Sequence, residues 1–135
     1  MKELKILLVD DERPVARSME KTFVRAGFKV ETASDVTQGL ASFKEALASD
    51  EPFDIAVLDM NMPDFDGKES ADAGLNLLKR LLEVQPSLPV IVLTAFDAVS
   101  KAKTAISAGA RDYFVKGREA RLVELVHKTL QTKQE

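Results

Sequence analysis

The sequence predicts a parallel α/β sheet, and two observations support that prediction. Short β-branched or aliphatic runs alternate along the chain with longer stretches whose apolar residues have helical spacing, a pattern typical of parallel sheets. Most of the short runs are apolar almost throughout, as strands that are covered by helices on both faces require. The five predicted strands are residues 5–9, 28–33, 53–58, 89–93 and 112–115.

Five helices are predicted between and after these strands. In the first, Val15, Met19 and Phe23 recur at every fourth position, with Pro14 placed to open the helix and Gly27 to close it. The second helix is indicated by Val36, Leu40, Phe43 and Leu47, with a cap at Ser34 or Asp35. The third is indicated by Leu75, Leu78 and Leu82, and the fourth by the alanine-rich stretch 97–108 before Gly109. The fifth is indicated by Leu122, Leu125, Val126 and Leu130. Strands and helices are therefore expected in strict alternation.

Length, charge and composition limit the function classes. The 135 residues fit one domain, 1–135, and the 45% hydrophobic content is enough for a core. A net charge of −3 argues against direct nucleic-acid binding, which usually needs a basic surface. The chain has no cysteine, hence no disulfide or thiolate metal site, and nothing in it resembles a signal peptide or a membrane span. A cytoplasmic setting without membrane contact is expected.

Carboxylates follow two of the predicted strands. Asp10 and Asp11 come directly after the first strand, and Asp59 comes after the third. The carboxyl ends of neighbouring strands in an open parallel sheet converge on one crevice, so these side chains are expected to lie together. A shared hard cation such as Mg²⁺, bound through oxygen, would keep the mutually repelling charges ionised. This predicts phosphate chemistry, with the Asp59 carboxylate as a competent nucleophile toward phosphorus.

A hydroxyl and an ammonium are predicted at the same edge. Thr94, followed by the small Ala95, ends the fourth strand, and Lys116 ends the fifth. The hydroxyl and an unobstructed backbone N–H could bond a phosphoryl oxygen, and the ammonium could neutralise the phosphoryl charge. Each residue alone is more often a cap, a turn residue or a solvated charge. Their joint placement at one edge favours the functional interpretation.

Five motifs together carry a family resemblance. They are Val9-Asp10-Asp11-Glu12, the loop 59–67, Leu93-Thr94-Ala95, Ala108-Gly109-Ala110 and Asp112-Tyr113-Phe114-Val115-Lys116. Over essentially all of its length the chain resembles the receiver domains of two-component response regulators. The resemblance implies a flavodoxin-like doubly wound (βα)5 fold, with a five-stranded parallel sheet in the order 2-1-3-4-5.

The resemblance also implies a metal site and a phosphoacceptor. Asp59 would accept the phosphoryl group. Asp11 and Asp59 would bind Mg²⁺ directly, Asp10 would assist through water or through contacts with the ligating residues, and the backbone carbonyl of Asn61 would complete the protein ligands.

The remaining implied roles concern the phosphoryl group and a switch. Lys116 and the metal would stabilise the charge of the transferring group, while Thr94, the Ala95 amide and Asn61 would contact it. Thr94 would then move toward the phosphoryl group and Tyr113 would fill the vacated space, which changes the surface of the fourth helix, fifth strand and fifth helix. The alternative for Tyr113 is a half-packed tyrosine with a solvated hydroxyl.

The implied role is that of a phosphoacceptor signalling domain rather than an enzyme. The donor would be a sensor histidine kinase or a histidine phosphotransfer protein. The output would pass through a homodimer, a downstream effector or an output domain outside this sequence. Two alternatives stay open: a receiver-like interaction module that works without phosphorylation, and a magnesium-dependent phosphatase for small phosphate esters.

The sequence departs from the family pattern in two places. Lys116 is followed by Gly117, where the family usually has a proline joined by a cis peptide, so the loop could run cis or trans here. Residues 68–73 resemble an insertion before the third helix. The insertion is either a tolerated surface loop or a segment that gates access or selects partners.

Overall fold

The computed structural model describes residues 3–133. The predicted domain also includes Met1, Lys2, Gln134 and Glu135, which lie outside the described residues. The strands are β1 (Lys5–Val9), β2 (Lys29–Ala33), β3 (Ile55–Asp59), β4 (Met62–Pro63), β5 (Glu69–Ser70), β6 (Val90–Thr94) and β7 (Asp112–Val115). The helices are α1 (Arg13–Arg25), α2 (Val36–Ala48), α3 (Ala73–Val84), α4 (Val99–Ser107) and α5 (Glu119–Lys133), with a 3₁₀ turn at Phe96–Ala98 before α4.

Five strands form one parallel sheet in the order β2-β1-β3-β6-β7. Counted along the chain within that sheet, the order is 2-1-3-4-5, so the predicted fold class is confirmed. The central strands β1, β3 and β6 are buried almost throughout because helices cover both faces. Asp59 pairs with Leu93, and Thr94 pairs with Val115, so the polar residues of neighbouring strands finish at one edge.

Different helices pack on the two faces of the sheet. Ile6 and Leu8 of β1 belong to the core under α1 and α5, whereas Leu7 and Val9 belong to the core under α2, α3 and α4. This alternation follows from the two-residue period of a strand. Because both faces are covered, the polar groups of the sheet collect at the strand ends. Within residues 3–133, none of the helices combines the length and apolar character that a membrane crossing requires.

The predicted helix ends are largely confirmed by local contacts. The cap of α2 is Asp35, whose side chain accepts a hydrogen bond from the Gln38 N–H at 2.8 Å. Pro14 lies in the first turn of α1, where its missing N–H costs no helical hydrogen bond. Gly27 follows α1 with φ of 97°, a backbone angle that favours glycine.

Strict alternation is wrong between β3 and α3. Strands β4 and β5 pair there as an antiparallel hairpin, in the stretch predicted to be a polar loop followed by an insertion at 68–73. Met62 of β4 is fully buried, and the Gly67 N–H donates to the Asp64 carbonyl at 2.8 Å to close the turn. Strands of two residues are too short to produce a sequence period, so only tertiary contacts define them.

Strand boundaries differ from the prediction by one or two residues. The second and fourth main-sheet strands begin at Lys29 and Val90, and the third begins at Ile55. Asp59 and Thr94 belong to their strands, because each still pairs with a neighbour. The predicted fourth helix, 97–108, is a 3₁₀ turn followed by an α-helix that starts at Val99.

The predicted apolar stripes mark the correct helices, but not always the residues that are most deeply buried. On α2, Leu47 is 38% exposed whereas Ala46 is buried. On α3 the buried leucines are Leu77, Leu78 and Leu81, while Leu75 and Leu82 are only partly buried, as is Leu125 on α5. Leucines occupy more than one face of α3, so periodicity alone could not choose its rotation. Packing decides the rotation, because Gly74 lies directly against the end of β3.

Candidate functional site

The carboxyl-terminal edge of the sheet forms a polar cleft of about 320 Å³. Asp59 ends β3, Thr94 ends β6 and Lys116 follows β7, and all three line the cleft. Asp10, directly after β1, is 2% exposed, Asp59 is 5% exposed and Thr94 is 1% exposed. The buried carboxylates of Asp10 and Asp59 therefore require compensating charge close by.

Lys116 supplies positive charge to this edge. Its Nζ lies 2.7 Å from Glu12 Oε1, 2.9 Å from Asp10 Oδ2 and 3.1 Å from Asp59 Oδ2. The contact with Asp10 Oδ2 is a charge contact without hydrogen-bond geometry, because that buried oxygen has no hydrogen-bond partner. Burial lowers the pKa of Lys116, but the hydrogen bond to Glu12 and the charges of Asp10 and Asp59 outweigh burial and raise the pKa overall. Lys116 is therefore a stable cation at neutral pH.

The predicted acidic trio is brought together. Asp10, Asp11 and Asp59 each offer an oxygen atom, and these atoms lie within 4.8 Å of one another. Burial raises the pKa of Asp59 to about 7, and the charge of Asp10 adds to this effect against the opposing influence of Lys116. Burial and then the neighbouring Glu69 raise the pKa of Asp11 to about 6. The cluster is thus short of positive charge, and its oxygen donors fit a hard divalent cation such as Mg²⁺.

Thr94 and Ala95 lie where the sequence predicted them. Both line the cleft, and the Thr94 hydroxyl donates to the Ala95 carbonyl at 3.2 Å. The Lys116 N–H donates to the Thr94 carbonyl at 3.0 Å, which joins the ends of β6 and β7. Asn61, two residues beyond β3, lines the same cleft.

Tyr113 lies on the same face of the sheet as Thr94. It pairs with Val92, two residues before Thr94, and side chains two residues apart on a strand share a face. The Tyr113 side chain is partly buried and packs against the core formed with α2, α3 and α4. This position is compatible with both interpretations of Tyr113, the packed tyrosine and the switch.

The Lys116-Gly117 loop runs trans, as do all peptide bonds among the described residues. Gly117 has φ of 126°, which an L side chain adopts only with strain. The loop nevertheless brings the Lys116 ammonium to the Asp59 carboxylate. The departure from the family pattern therefore does not separate these two groups.

Sequence reasoning missed three residues of the site. Glu12 bonds Lys116, Glu69 of β5 approaches Asp11, and Gly74 packs against the backbone of Asp59. Glu12 directly follows Asp10 and Asp11 in the sequence, and this position could have indicated that it belongs to the site. Glu69 lies in an unpredicted hairpin and Gly74 follows that hairpin, and the sequence offered no comparable signal for either residue.

The raised pKa of Asp59 predicts how replacing it by asparagine changes stability. A carboxyl group whose pKa is about 7 in the fold and 3.8 when unfolded destabilises the fold as pH rises through that window, because the folded state must release its proton. Without divalent cations, Asp59→Asn should raise the free energy of unfolding by about 1–3 kcal/mol more at pH 8 than at pH 4.5. Urea unfolding followed by circular dichroism would measure the difference.

The matched control for this prediction is Asp97→Asn. Asp97 is an exposed aspartate on the rim of the cleft, and its replacement should leave the pH dependence of unfolding unchanged. If Asp59→Asn raised the free energy of unfolding equally at pH 4.5 and pH 8, the prediction would be contradicted. An equal increase would indicate a packing effect rather than the removal of charge.

Comparisons with known proteins identify relatives across nearly the whole chain. The family model described as response regulator receiver domain matches residues 6–127. Response regulator MprA of Mycobacterium ulcerans is 39% identical over 113 residues, which cover 84% of this chain and 44% of the relative. MprA of Mycobacterium tuberculosis is 38% identical over the same shares. The chain thus spans less than half the length of these curated relatives.

Solved structures agree with the sequence relatives. The response regulator receiver domain protein (CheY-like) of Methanospirillum hungatei superposes with a TM-score of 0.82 at 25% identity, covering 98% of both chains. A response regulator receiver domain protein of Clostridium thermocellum has a TM-score of 0.83 at 28% identity, covering 97% of both chains. The family match, the sequence relatives and the solved structures agree with one another. The chain belongs to the response regulator receiver domain family.

Proposed function

We propose that this receiver domain is switched by phosphorylation of Asp59. The observation that carries the proposal is the contact of 3.1 Å between Lys116 Nζ and Asp59 Oδ2 in the buried part of the cleft. An ammonium held against a buried carboxylate can stabilise the charge that develops when a phosphoryl group reaches that carboxylate. Thr94 and Ala95 line the same cleft, where the Thr94 hydroxyl and the Ala95 N–H would bond phosphoryl oxygens.

In the proposed reaction, an Asp59 carboxylate oxygen attacks the phosphorus of a phosphohistidine. An O–P bond forms, the N–P bond breaks, and the imidazole leaves with its electron pair, so that an acyl phosphate remains on Asp59. Lys116 neutralises part of the phosphoryl charge, and the Thr94 hydroxyl and the Ala95 N–H bond its oxygens. The chain contributes positioning and electrostatics and turns over no substrate, so we do not class it as an enzyme.

Mg²⁺ is the cofactor that we propose for this reaction. Asp11, Asp59 and the Asn61 backbone carbonyl would hold the ion, with Asp10 assisting. When bound, the ion would neutralise phosphoryl charge and help to orient the group. The cluster of carboxylate oxygens within 4.8 Å supports this assignment.

The proposed output is a change in the surface of α4, β7 and α5. Thr94 moves toward the phosphoryl group, and Tyr113 takes up the space that Thr94 leaves on the same face of the sheet. Their placement two positions apart on neighbouring strands supports this coupling. A ligand that favours one of two packings is sufficient to shift the population.

The partners that we propose follow from the family. A sensor histidine kinase or a histidine phosphotransfer protein would supply the phosphoryl group. Because the curated relatives are more than twice as long as the matched segment, an output domain or a separate effector would receive the signal. A homodimer formed through the switched surface is a further route.

The competing role is an interaction module that works without phosphorylation. Gly117 keeps this alternative open, because a changed loop could alter the approach of Lys116 to the acceptor, but the ammonium lies beside the Asp59 carboxylate. We therefore favour the phosphorylated switch.

Intact-protein mass spectrometry after incubation with acetyl phosphate tests the proposal. We expect a gain of one phosphoryl group that requires Mg²⁺ and disappears in Asp59→Asn. The control, Asp97→Asn, removes a carboxylate at the rim and should keep the gain. Labelling of Asp59→Asn at the wild-type level would reject Asp59 as the acceptor. Absence of labelling in the folded wild-type chain, with no binding of beryllofluoride, would favour the interaction module.

A further inference from the structure

The β4–β5 hairpin presents a carboxylate at the wall of the cleft, and it is firmly attached to the domain. Met62 is fully buried, and Asn76 Nδ2 of α3 donates to Asp64 Oδ2 at 2.7 Å. The Asp64 N–H donates to the Lys68 carbonyl at 2.9 Å, which closes the hairpin. Antiparallel pairing then sets Glu69 opposite β4. The position of Glu69 is therefore defined by the hairpin and by α3.

Glu69 adjoins the predicted cation ligands. It lines the cleft together with Asp11, Asp59 and Asn61, and it lies close enough to Asp11 for its charge to act on the Asp11 carboxyl group. The Asn61 amide satisfies its neighbours only with its nitrogen turned toward the hairpin, where it donates to the Ser70 carbonyl at 3.2 Å and to Glu69 Oε2 at 3.3 Å. The hairpin thus adds a carboxylate to the side of the cleft occupied by Asp11 and Asn61.

The carboxylates on this side of the cleft are not among those that Lys116 contacts. Lys116 instead neutralises Asp10, Glu12 and Asp59 on the other side. Among the side chains that the structure describes, no lysine or arginine forms an ion pair with Asp11 or Glu69. Lys101, which also lines the cleft, pairs with Asp72 at 3.6 Å instead. Two adjoining carboxylates repel one another, and a cation bound between them would relieve that repulsion.

We propose that Glu69 is a further ligand of the divalent cation, binding it together with Asp11, so that the inserted hairpin is part of the cation site. The proposal rests on the proposed function, because it concerns the same ion. Carboxylate oxygens are the ligands that hard cations prefer, and an additional one strengthens the site. The hairpin is also held by α3, so cation binding would connect the wall of the cleft to the edge of the sheet.

Isothermal titration of Mg²⁺ into the metal-free chain, without a phosphoryl donor, tests this inference. Glu69→Gln keeps the size of the side chain and should raise the Kd for Mg²⁺ at least about tenfold. The control is Asp66→Asn, which removes the same charge from the same hairpin outside the cleft. The asparagine amide oxygen can still accept the hydrogen bond from the Lys68 N–H. The Kd of this variant for Mg²⁺ should therefore change by less than about twofold.

The outcomes separate this inference from the proposed function. Equal affinities for Glu69→Gln and Asp66→Asn, with Asp11→Asn clearly weakened, would overturn the role of Glu69 and leave the receiver chemistry intact. A wild-type chain that binds no Mg²⁺ would overturn both. Circular dichroism of each variant would establish that the fold is retained.

Discussion

Replacing Lys116 by methionine is expected to lower the free energy of unfolding by about 2–4 kcal/mol at pH 8 without divalent cations. The Lys116 side chain is 17% exposed, and the side chains of its partners Asp10 and Asp59, counted without the backbone, are 0% and 7% exposed. Its removal would leave two buried carboxylates close together without a cation. Urea unfolding followed by circular dichroism would measure the loss, and Mg²⁺ should restore part of it.

The destabilisation should become smaller toward pH 5. The raised pKa of Lys116 keeps the lysine charged from pH 5 to pH 8, so the wild-type chain keeps this stabilising charge at both pH values. The pKa of Asp59 is about 7, and in the variant the carboxylates would take up protons as pH falls, which relieves their repulsion. A loss independent of pH would contradict this electrostatic account.

Lys101→Met is the matched control. Lys101 also lines the cleft, but its pair with Asp72 has side chains that are 51% and 58% exposed. Solvent screens such pairs, so we expect a loss below about 1 kcal/mol. In addition, Lys116→Met should slow labelling by acetyl phosphate roughly a hundredfold, because charge stabilisation at the acceptor is lost.

Replacing Gly74 by alanine is the second change with a large expected effect. A Cβ atom at Gly74 would lie 2.8 Å from the Met60 Cα and would meet the Asp59 carbonyl group even more closely. These are backbone atoms, which cannot turn aside as a side chain can. The Gly74 N–H also donates to the Met60 carbonyl at 3.0 Å, so α3 cannot move away from the end of β3 without losing this hydrogen bond. We expect a loss of about 1–3 kcal/mol in unfolding free energy. Phosphoryl labelling should also slow at least about tenfold, because Asp59 would be displaced.

Gly39→Ala distinguishes displacement of the site from ordinary overpacking. A Cβ atom at Gly39 of α2 would approach only side-chain atoms, 3.0 Å from Val9 Cγ2 and 3.2 Å from Leu77 Cδ2. These side chains can shift by a few tenths of an ångström without moving Asp59. If both variants slowed labelling equally after correction for the folded fraction, the positioning role of Gly74 would be refuted.

The sheet could be predicted because strand and helix periods repeat over enough residues. The apolar runs at β1 and β7 predicted those strands at their observed limits, and the other main-sheet strands differ only at their ends. The rotation of α3 could not be predicted, since its leucines are spread around the helix. Contact between Gly74 and the end of β3 selects the buried set.

The edge residues could be predicted because strand ends are visible in the sequence. Asp10, Asp11, Asp59, Thr94 and Lys116 meet as expected, although their chemical roles stay proposals. Glu69 could not be predicted as part of the site. It reaches the cleft through two strands of two residues each, which leave no periodic signal.

By itself, the sequence determined the layered α/β fold and the meeting of the acidic, hydroxyl and basic groups at one sheet edge. The spacing of apolar residues and the ends of strands can be read from short stretches of sequence. Parallel pairing then aligns the strand ends, so residues at these ends lie close together. Only the tertiary structure decided which carboxylates Lys116 neutralises and which side of the cleft stays short of positive charge. Those outcomes depend on distances of a few ångströms between residues far apart in the chain, set by how the Gly117 loop and the β4–β5 hairpin pack.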